Sequence, residues 1–269
     1  MKLQWTGFAH GTEPLDYDYD NFGLADGQSL NFRTDAETDT GRGSAHRNPV
    51  MAVMSVGNPC ADHPASASRL VVRNLIHSFR NECRTKQFTE LNYDRWLKFQ
   101  FSQIHKKMLM HGQENPEYSG FSASCTCVIL HGDLAHIAQL GNTRLLRLRE
   151  GSVMDLSVGE SIESPPEEYA FENPRSIRTE GKTYLNGMLG VTDGSYIEPH
   201  FYFSDIQKKD ILAFCTNGVE IAIGPRGFES FFSRVWNSFN FKKACRQMMT
   251  EGVRLCNDAC VGTLFLRIA

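Results

Sequence analysis

The chain has 269 residues, of which 41% are hydrophobic and 22% are charged, and its formal net charge is −3. These values are typical of a soluble globular protein, and they exclude the strong charge that binding to nucleic acid or to an anionic membrane would favour. No apolar run approaches the ~20 residues of a membrane-spanning helix, and the first residues, MKLQWTGFAHG, lack the apolar segment of a signal peptide. We therefore expect a cytoplasmic protein that binds neither nucleic acid nor membrane.

Eight cysteines are scattered along the chain, and none of them forms a C-x-x-C pair. Free cysteine packs as a small hydrophobic residue, so we expect reduced, buried thiols, with a zinc site as the alternative. The cysteines are Cys60, Cys83, Cys125, Cys127, Cys215, Cys245, Cys256 and Cys260.

The N-terminal part of the chain alternates between predicted strands and polar segments. Residues 3–9 (LQWTGFA) predict a first strand, and residues 49–56 (PVMAVMSV) predict a buried strand. Between them, the segment 26–48 is rich in Gly, Thr and Asp and predicts a mobile surface loop. Acidic residues that include Asp18 and Asp20 precede this segment, and they form either a solvated loop or a residual cation site.

Two amphipathic helices are predicted to follow the buried strand. We expect Asp62 to cap the first helix, with Pro64 in its first turn. Apolar residues recur at helical spacing in both helices, so each helix should lay one face on a sheet. These residues are Val71, Val72, Leu75, Ile76 and Phe79 in the first helix, and Leu97, Phe101, Ile104 and Met108 in the second.

The central stretch 122–149, SASCTCVILHGDLAHIAQLGNTRLLRLR, predicts a β-hairpin followed by a third strand. His131-Gly132-Asp133 supplies the residues of a tight turn between the first two strands. Most positions of these strands are apolar on both faces, which indicates a sheet that is covered on both sides.

The C-terminal part predicts further strands and helices around an irregular segment. A short strand is expected over 153–158, followed by the Pro-containing segment 162–183 and then a buried strand over 210–219. Helical patterns follow at 228–239 and 242–255, and the chain ends in a last strand.

Several of these segments resemble motifs of the metal-dependent Ser/Thr protein phosphatases (the PPM, or type 2C, family), particularly its compact bacterial-type members. Gly141–Arg144 resembles the family's G-D-S-R, and the strand after it ends in R-x-G at Arg149–Gly151. Asp210–Val219 resembles D-x-L-L-L-C-S-D-G-L, and Asn257–Val261 resembles D-D-A-T-V. The order and spacing of these motifs carry the resemblance from about Leu15 to the end of the chain.

The resemblance implies an α/β (α+β) fold, namely a four-layer αββα sandwich of two antiparallel sheets flanked by helices. It also implies that residues 1–269 form a single type 2C phosphatase-like domain. The loop at about 26–48 would be particular to this chain, and the segment at about 162–183 would be the flap that overhangs the family's active site.

At the positions where the resemblance places metal-binding acids, this chain has neutral residues. The three aspartates of the later motifs correspond to Asn142, Asn217 and Asn257. The family's D-G-H-G-G, whose Asp bridges two metal ions, falls at the end of the strand over 49–56. There the Asp becomes Ser55 or Val56, and the His becomes Gly57 or Asn58. The phosphate-binding Arg of the family is replaced by Leu15 or a neighbouring residue.

The loss of these acids has a large expected effect on metal affinity. One charge–charge interaction at about 4 Å is worth about 4 kcal/mol at an effective dielectric constant of ~20, or roughly a thousandfold in affinity. Without metal, converging carboxylates would repel one another, whereas amides remain neutral and can form hydrogen bonds. Asp18, Asp20 and Asp258 are the only residual candidates for a cation site that the motifs retain.

The sequence therefore predicts a pseudophosphatase without catalytic residues, metal or other cofactor, which acts as a protein-binding or regulatory module. Its partner would be a protein, such as a phosphoprotein. An alternative is a divergent active phosphatase with Mg²⁺ or Mn²⁺ in a site rebuilt from Asp18, Asp20, Asp62 or His63. A third hypothesis is a structural subunit that assembles through a helical face around Phe228–Trp236. The sequence does not indicate the oligomeric state or the partner's identity.

Overall fold

The computed structural model describes most of the chain outside two long gaps, 158–187 and 217–240. The described residues are 2–10, 20–26, 30–32, 39–44, 48–58, 61, 63–84, 92–118, 120–141, 143–157, 188–191, 197, 199–216, 230, 241–255 and 261–269.

Alternating apolar residues produce the strands, and helical spacing of apolar residues produces the helices. The strands are β1 Lys2–His10, β2 Asp20–Asp26, β3 Leu30–Phe32, β4 Asp39–Ser44, β5 Val50–Gly57, β6 Ala123–His131, β7 Leu134–Leu140, β8 Arg144–Arg149, β9 Ser152–Asp155, β10 His200–Asp205, β11 Ile211–Cys215 and β12 Val261–Ile268. The helices are α1 Pro64–Arg84, α2 Tyr93–Glu114 and α3 Phe241–Leu255, with a 3₁₀ turn at Pro116–Tyr118.

The strands form two six-stranded sheets in which every pairing is antiparallel. The first sheet has the order β4-β1-β12-β11-β8-β9, and the second has the order β10-β7-β6-β5-β2-β3. Strands β5, β6 and β7 are consecutive neighbours in the second sheet, with β8 crossing to the first. The predicted hairpin over 122–149 is therefore confirmed, and Gly132 in its turn has a φ of +62°, a backbone conformation that glycine adopts readily.

The two sheets pack face to face through alternate residues of their strands. Met54 of β5 and Val128 of β6 belong to the same buried cluster as Phe214 of β11 on the opposite sheet. At one point the sheets approach closely: a Cβ atom on Gly7 would lie 2.2 Å from the ring of Phe22. Glycine is thus required at position 7 for the Phe22 ring to fill the space between the sheets.

Helices cover the outer faces of both sheets. Helices α1 and α2 pack on the second sheet, and their predicted apolar residues are all buried there. Helix α3 contacts β1 and β12 of the first sheet, and the rings of Phe241 and Phe265 meet edge to face with centroids 6.5 Å apart. The result is a four-layer αββα arrangement, as predicted from the sequence.

The structure differs from the sequence-based expectation at the segment 26–48 and at the start of α1, and it contains strand β10, which the sequence does not predict. The segment 26–48 was expected to be a loop, but β3 and β4 lie within it. His63, rather than Asp62, directly precedes α1, and its carbonyl accepts a hydrogen bond from the Ala67 N–H at 3.2 Å. Asp62 itself, the segment 162–183 and the helical pattern at 228–239, except Ser230, lie outside the described residues.

The cysteines in the described part of the chain form no disulfide. Cys125, Cys127, Cys215 and Cys245 are buried, and Cys83 is partly exposed, which confirms the expected reduced thiols at these positions. Cys60, Cys256 and Cys260 lie outside the described residues. Within the part of the chain that the structure describes, no helix has the length and apolar character needed to cross a membrane.

Candidate functional site

Strand ends from both sheets converge at one edge of the sandwich. In the second sheet, Gly57 at the end of β5 pairs with Ala123 at the start of β6. In the first sheet, Cys215 at the end of β11 pairs with Arg144 at the start of β8. Thr143, next to Arg144, hydrogen-bonds to Thr126 of β6, so these ends of the two sheets meet. We call this region, defined by Ser55–Asn58, Ser122–Thr126, Gln139–Gly141, Thr143, Cys215–Thr216 and Val261–Gly262, the strand-end edge.

Several predicted site positions lie at this edge or directly next to it in the sequence. Ser55, Val56, Gly57 and Asn58 form the end of β5 and the residue after it. Asn142 directly precedes Thr143, and Asn217 directly follows Thr216. Asn142, Asn217, Asn257, Asp18 and Asp258 themselves lie outside the described residues.

The last residues of β5 face opposite sides of the second sheet. Alternate residues Met51 and Val53 pack beneath the helices, and Ser55 belongs to this row. The Ser55 side chain is fully buried, and its hydroxyl donates a hydrogen bond to the Ser124 carbonyl at 2.8 Å. By the same alternation, Val56, which is partly exposed, lies on the other face of β5, where Ala52 and Met54 pack against the first sheet. The apolar side chain of Val56 therefore ends the row that faces the first sheet. The neighbouring Ser55 hydroxyl is used in a hydrogen bond within the second sheet.

Directly after β5, the chain is fixed against α1 and against the segment before β6. A Cβ atom on Gly57 would lie 1.9 Å from the Pro64 carbonyl oxygen, so the backbone of β5 touches the first turn of α1. The Asn58 N–H donates to the Ser122 carbonyl at 2.8 Å, and its side-chain amide donates to the Ser122 hydroxyl at 3.1 Å. The Ser122 hydroxyl donates in turn to the Gly120 carbonyl at 2.9 Å. This connection is held by neutral groups.

A second neutral network lies between the sheets at the same edge. The hydroxyls of Thr126 and Thr143 are 2.5 Å apart, and the Gln139 amide donates to the Thr143 carbonyl at 2.8 Å. The Tyr202 hydroxyl donates to the Gln139 side-chain carbonyl at 2.9 Å. Burial, and secondarily the charge of Asp155, raises the pKa of Tyr202, so the phenol stays protonated and remains a donor. Thr126, Thr143 and Gln139 are all buried.

Thr216 connects the end of β11, which precedes Asn217, to the start of β12, which follows Asn257. Its N–H donates to the Gly262 carbonyl at 3.0 Å, and its hydroxyl accepts from the Gly262 N–H at 2.9 Å. Both bonds use neutral donors and acceptors. The end of β11 and the start of β12 are thus held together. In the sequence, Asn217 follows the end of β11, and Asn257 precedes the start of β12.

The residual acidic candidates are only partly described. Asp20 is the first residue of β2 and pairs with Val56 across β2 and β5. Its neighbour Asn21 is buried, and the Asn21 amide donates to the Ser68 hydroxyl of α1 at 2.7 Å. The ring of His63, the other residue named for a rebuilt site, packs against the ring of Tyr118 with centroids 4.4 Å apart.

Comparison with solved structures identifies the fold. The chain superposes on the serine/threonine phosphatase Stp1 from Staphylococcus aureus with a TM-score of 0.75 and 16% identity, covering 98% of this chain and 94% of that one. The S. agalactiae serine/threonine phosphatase matches with a TM-score of 0.74 and 14% identity, covering 99% and 100%. The Mycobacterium tuberculosis serine/threonine phosphatase PstP/Ppp matches with a TM-score of 0.65 and 13% identity, covering 100% and 99%.

The chain has the fold of the PPM (type 2C) phosphatases. This confirms the fold that the motifs indicated. No protein-family model and no curated protein sequence matches the chain. The likeness at these identities establishes the PPM-like fold and not the activity.

The described side chains at the strand-end edge of this PPM-like fold do not fit a pair of divalent cations. Mg²⁺ and Mn²⁺ favour carboxylate and other oxygen ligands, whereas Val56 is apolar and the Ser55 hydroxyl donates to a carbonyl. Within the described residues, no three His, Cys, Asp or Glu side chains gather where they could hold a metal ion. The described residues of the strand-end edge can hold polar groups of the protein together and include no carboxylate, and Asp20 lies opposite Val56 in the strand pairing.

Sequence reasoning missed the buried polar network between the sheets. Thr126 and Gln139 lie in strands whose other inward-facing residues are apolar, such as Val128 and Ile137. A polar residue at an inward position of an apolar strand is the signal that could have identified them. Tyr202 was missed for another reason, because β10 was not predicted as a strand.

Proposed function

We propose that this chain is a pseudophosphatase, a PPM-like domain that does not hydrolyse phosphoesters and acts as a protein-binding or regulatory module. The observation that carries the proposal is the end of β5, where the resemblance places the metal-bridging aspartate. There Val56 continues the inter-sheet row, and the buried Ser55 hydroxyl is used by the Ser124 carbonyl. Of the two possible registers, this arrangement favours Val56 at the bridging position, with Asn58 at the position of the family's His.

The neutral character of the strand-end edge also supports the proposal. Three further acid positions of the motifs are Asn142, Asn217 and Asn257 in the sequence. If one lost charge interaction costs about a thousandfold in affinity, the loss of several leaves too little attraction for a binuclear centre. Hydrogen bonds between hydroxyls and amides, as between Thr126, Thr143 and Gln139, stabilise such an edge without metal.

A domain that keeps its framework but lacks ligands for catalytic metals is suited to binding. We infer that its partner is a protein. The free cysteines of the described part, four of which are buried, support a reducing location such as the cytoplasm.

The test of the proposal is metal binding together with turnover. Calorimetric titration of the full chain with Mn²⁺ should show no pair of micromolar sites, and p-nitrophenyl phosphate with Mn²⁺ should be hydrolysed no faster than in buffer. Two micromolar sites with turnover that is lost in Asp20→Asn would overturn the proposal and support the rebuilt-site alternative.

A restored variant supplies the positive control. We expect the combined substitutions Val56→Asp, Asn142→Asp, Asn217→Asp and Asn257→Asp to raise Mn²⁺ affinity well above that of the unmodified chain. If the unmodified chain already binds Mn²⁺ as tightly as this variant, the amide positions do not determine metal binding, and the proposal fails.

A further inference from the structure

Strand β10 lies at a margin of the second sheet and lacks the features that protect exposed strands. Within the described residues it pairs with β7 alone. Edge strands are usually protected by shortness, by charged side chains or by proline. Of the other margins, β3 has three residues and β9 has four, and the sequence of β4 includes Asp39 and Arg42. Positions 201–204 of β10 contain no charge and no proline, so this edge is suited to pairing with another strand.

The backbone N–H and C=O groups of Phe201 and Phe203 point away from β7. The Ile206 N–H donates to the Asp133 carbonyl at 2.7 Å, so Ile206, which follows the last residue pair of the ladder, faces β7. In an antiparallel ladder, the backbone groups of alternate residues point to the same side. Counting back from Ile206, Tyr202 also faces β7, whereas Phe201 and Phe203 face the open edge.

The open stretch of this edge is short and ends on both sides. Two residues before Phe201 stands Pro199, which has no N–H to donate. Two residues after Phe203, the Asp205 carbonyl accepts hydrogen bonds from two arginine side chains of β8 at 3.2 and 3.1 Å. No hydrogen bond within the described part of the chain uses the edge-facing groups of Phe201 and Phe203. A further strand can therefore pair with β10 at these two residues.

An exposed aromatic ring and a partly buried one lie on the same face of the open stretch. Phe203 is 72% exposed. Phe201, two residues away and therefore on the same face, packs against the core beneath the helices, with its ring centroid 6.5 Å from that of Phe101. Leu134, which lies opposite Asp205 on β7, is a further exposed hydrophobic residue. Contiguous apolar surface of this kind marks interaction sites on soluble proteins.

We propose that β10 pairs antiparallel with β10 of a second copy of the chain, about a two-fold axis beside Tyr202. Phe201 then lies opposite Phe203 of the second copy, and each of the two equivalent residue pairs exchanges two backbone hydrogen bonds. This register uses both N–H and both C=O groups that face the open edge in each copy. The neighbouring registers would use Pro199 or Asp205 instead, where the donor is missing or the acceptor is occupied.

The side chains of β10 are complementary to those of an identical strand. In this register the exposed ring of Phe203 covers the partly buried ring of Phe201 in the second copy. Aromatic residues directly opposite each other stabilise paired strands, whereas like charges destabilise them. None of the six described residues of β10 meets a like charge in this register, and the Asp205 carboxylate already pairs with Arg147 and Arg149 at 2.9 and 2.7 Å. Two-fold pairing of identical surfaces is also the commonest form of oligomer.

Analytical ultracentrifugation of the full chain tests this pairing. We expect a reversible equilibrium between monomer and dimer with a dissociation constant in the micromolar range, because the open stretch forms only a small interface. Phe203→Lys removes the exposed ring and places a charge at the edge, and it should weaken dimerisation by at least about tenfold. Circular dichroism spectra should show that the variant remains folded.

Phe99→Lys provides the matched control, because Phe99 is an exposed residue of α2 at 58%. It makes the same substitution away from β10 and should leave the equilibrium unchanged. Equal weakening in Phe99→Lys and Phe203→Lys would overturn the proposal. A chain that stays monomeric at concentrations well above the micromolar range would also overturn it.

Amide hydrogen exchange measured by NMR tests the backbone pairing itself. The amides of Phe201 and Phe203 should exchange more slowly as the protein concentration rises, and this protection should be lost in Phe203→Lys. The Tyr202 amide, which faces β7, serves as the internal reference and should be protected at every concentration. A dimer in which the amides of Phe201 and Phe203 gain no protection associates through another surface and would contradict the proposal.

This inference goes beyond the proposed function, because it assigns an oligomeric state and uses backbone groups that bind no metal. The outcomes of the two sets of experiments are therefore separate. If the chain is monomeric and lacks both metal and turnover, the dimer proposal fails and the pseudophosphatase proposal stands. If the dimer forms as expected but the chain hydrolyses p-nitrophenyl phosphate with Mn²⁺, the pairing of β10 stands and joins two active enzymes.

Discussion

Arg149 and Asp210 form a two-bond ion pair at the end of the sandwich opposite the strand-end edge. The Arg149 Nε and Nη2 atoms donate to the two carboxylate oxygens of Asp210 at 2.9 and 2.6 Å. Asp210 is 1% exposed, and it also accepts a hydrogen bond from the Gln207 N–H at 2.8 Å. Arg149 is the Arg of the R-x-G motif, and Asp210 is the first Asp of the D-x-L-L-L motif. The residues of the motifs that build the fold are thus retained, in contrast to the acids at the strand-end edge.

Replacement of Arg149 should destabilise the protein strongly. Arg149→Leu leaves the buried Asp210 carboxylate without its counter-charge, and removal of one partner of a buried pair costs about 3–5 kcal/mol. Because the Arg149 side chain is 21% exposed, we expect the lower end of this range, about 3 kcal/mol in the free energy of unfolding. Urea denaturation of the full chain measures it.

Arg144→Leu on the same strand is the control for that measurement. Arg144 pairs with Asp155 at 2.9 Å, but the two side chains are 34% and 44% exposed. An exposed pair of this kind contributes at most about 1 kcal/mol. Similar losses of stability in Arg149→Leu and Arg144→Leu would show that burial of Asp210 does not make the first pair important.

His131 should make the folded state sensitive to mild acid. Burial, and secondarily the charge of His136, lowers the pKa of His131 below its ordinary value, while the unfolded chain keeps that value, about 6.5. Between the two pKa values the unfolded state binds more protons, so the stability falls as the pH decreases below about 6.5. The pKa of Tyr93 is raised to about 12, mainly by burial, and its hydroxyl forms a hydrogen bond with Nδ1 of His131 at 2.8 Å.

The measurement is the pH dependence of unfolding from pH 8 to 5 in the unmodified chain and in His131→Asn. We expect the unmodified chain to lose more stability over this range than the variant, because the variant lacks the titrating ring. NMR titration of His131 gives a direct check. A pKa at or above the ordinary value would contradict the prediction.

The stability of the protein should also depend on Gly57 at the strand-end edge. In Gly57→Ala the new Cβ would lie 1.9 Å from the Pro64 carbonyl oxygen, a backbone atom that moves only together with the first turn of α1. Overpacking of this kind costs about 1–3 kcal/mol, and we expect the larger value. Gly112→Ala in α2 is the comparison, since its nearest contact is 3.3 Å and alanine favours a helix by about 1 kcal/mol. Thermal denaturation should separate the two variants, and equal melting temperatures would contradict the close contact.

The elements that sequence predicted well are those whose apolar residues follow one period without interruption. Strands β5–β8 and helices α1 and α2 meet this condition, and the turn at Gly132 follows from its residues. Strands β3 and β4 lie at or next to the sheet margins in a polar segment. Their pairing depends on neighbours distant in sequence, which a local pattern does not show.

The candidate site stays a prediction, because Asn142, Asn217 and Asn257 lie outside the described residues. The resemblance indicated which positions had lost their acids, yet it left Ser55 and Val56 as equal candidates for one of them. The face of β5 to which each belongs distinguishes them, and that depends on which side of the sheet the helices cover. The hydrogen-bond partners of Gln139 could not be predicted from the local sequence for a related reason. Tyr202 lies 63 positions away and meets Gln139 only through the pairing of β10 with β7.

The neutrality of the inter-sheet network can be tested with one nearly isosteric change, Gln139→Glu. The Gln139 amide donates to the carbonyls of Thr143 and Gly141 at 2.8 and 3.4 Å, and a carboxylate would present only acceptors to them. The new acid should therefore stay protonated in the folded protein, with a pKa above the ordinary Glu value of about 4.3.

The folded state then binds more protons than the unfolded state, so the stability of the variant falls as the pH rises above about 4.3. At pH 7 we expect a loss of about 1–3 kcal/mol relative to the unmodified chain. Gln103→Glu, at an exposed position of α2, should show no such loss of stability with rising pH. A Gln139→Glu variant as stable at pH 7 as at pH 4.5 would mean that this edge tolerates a carboxylate, and that the loss of acids around it did not serve to keep the network neutral.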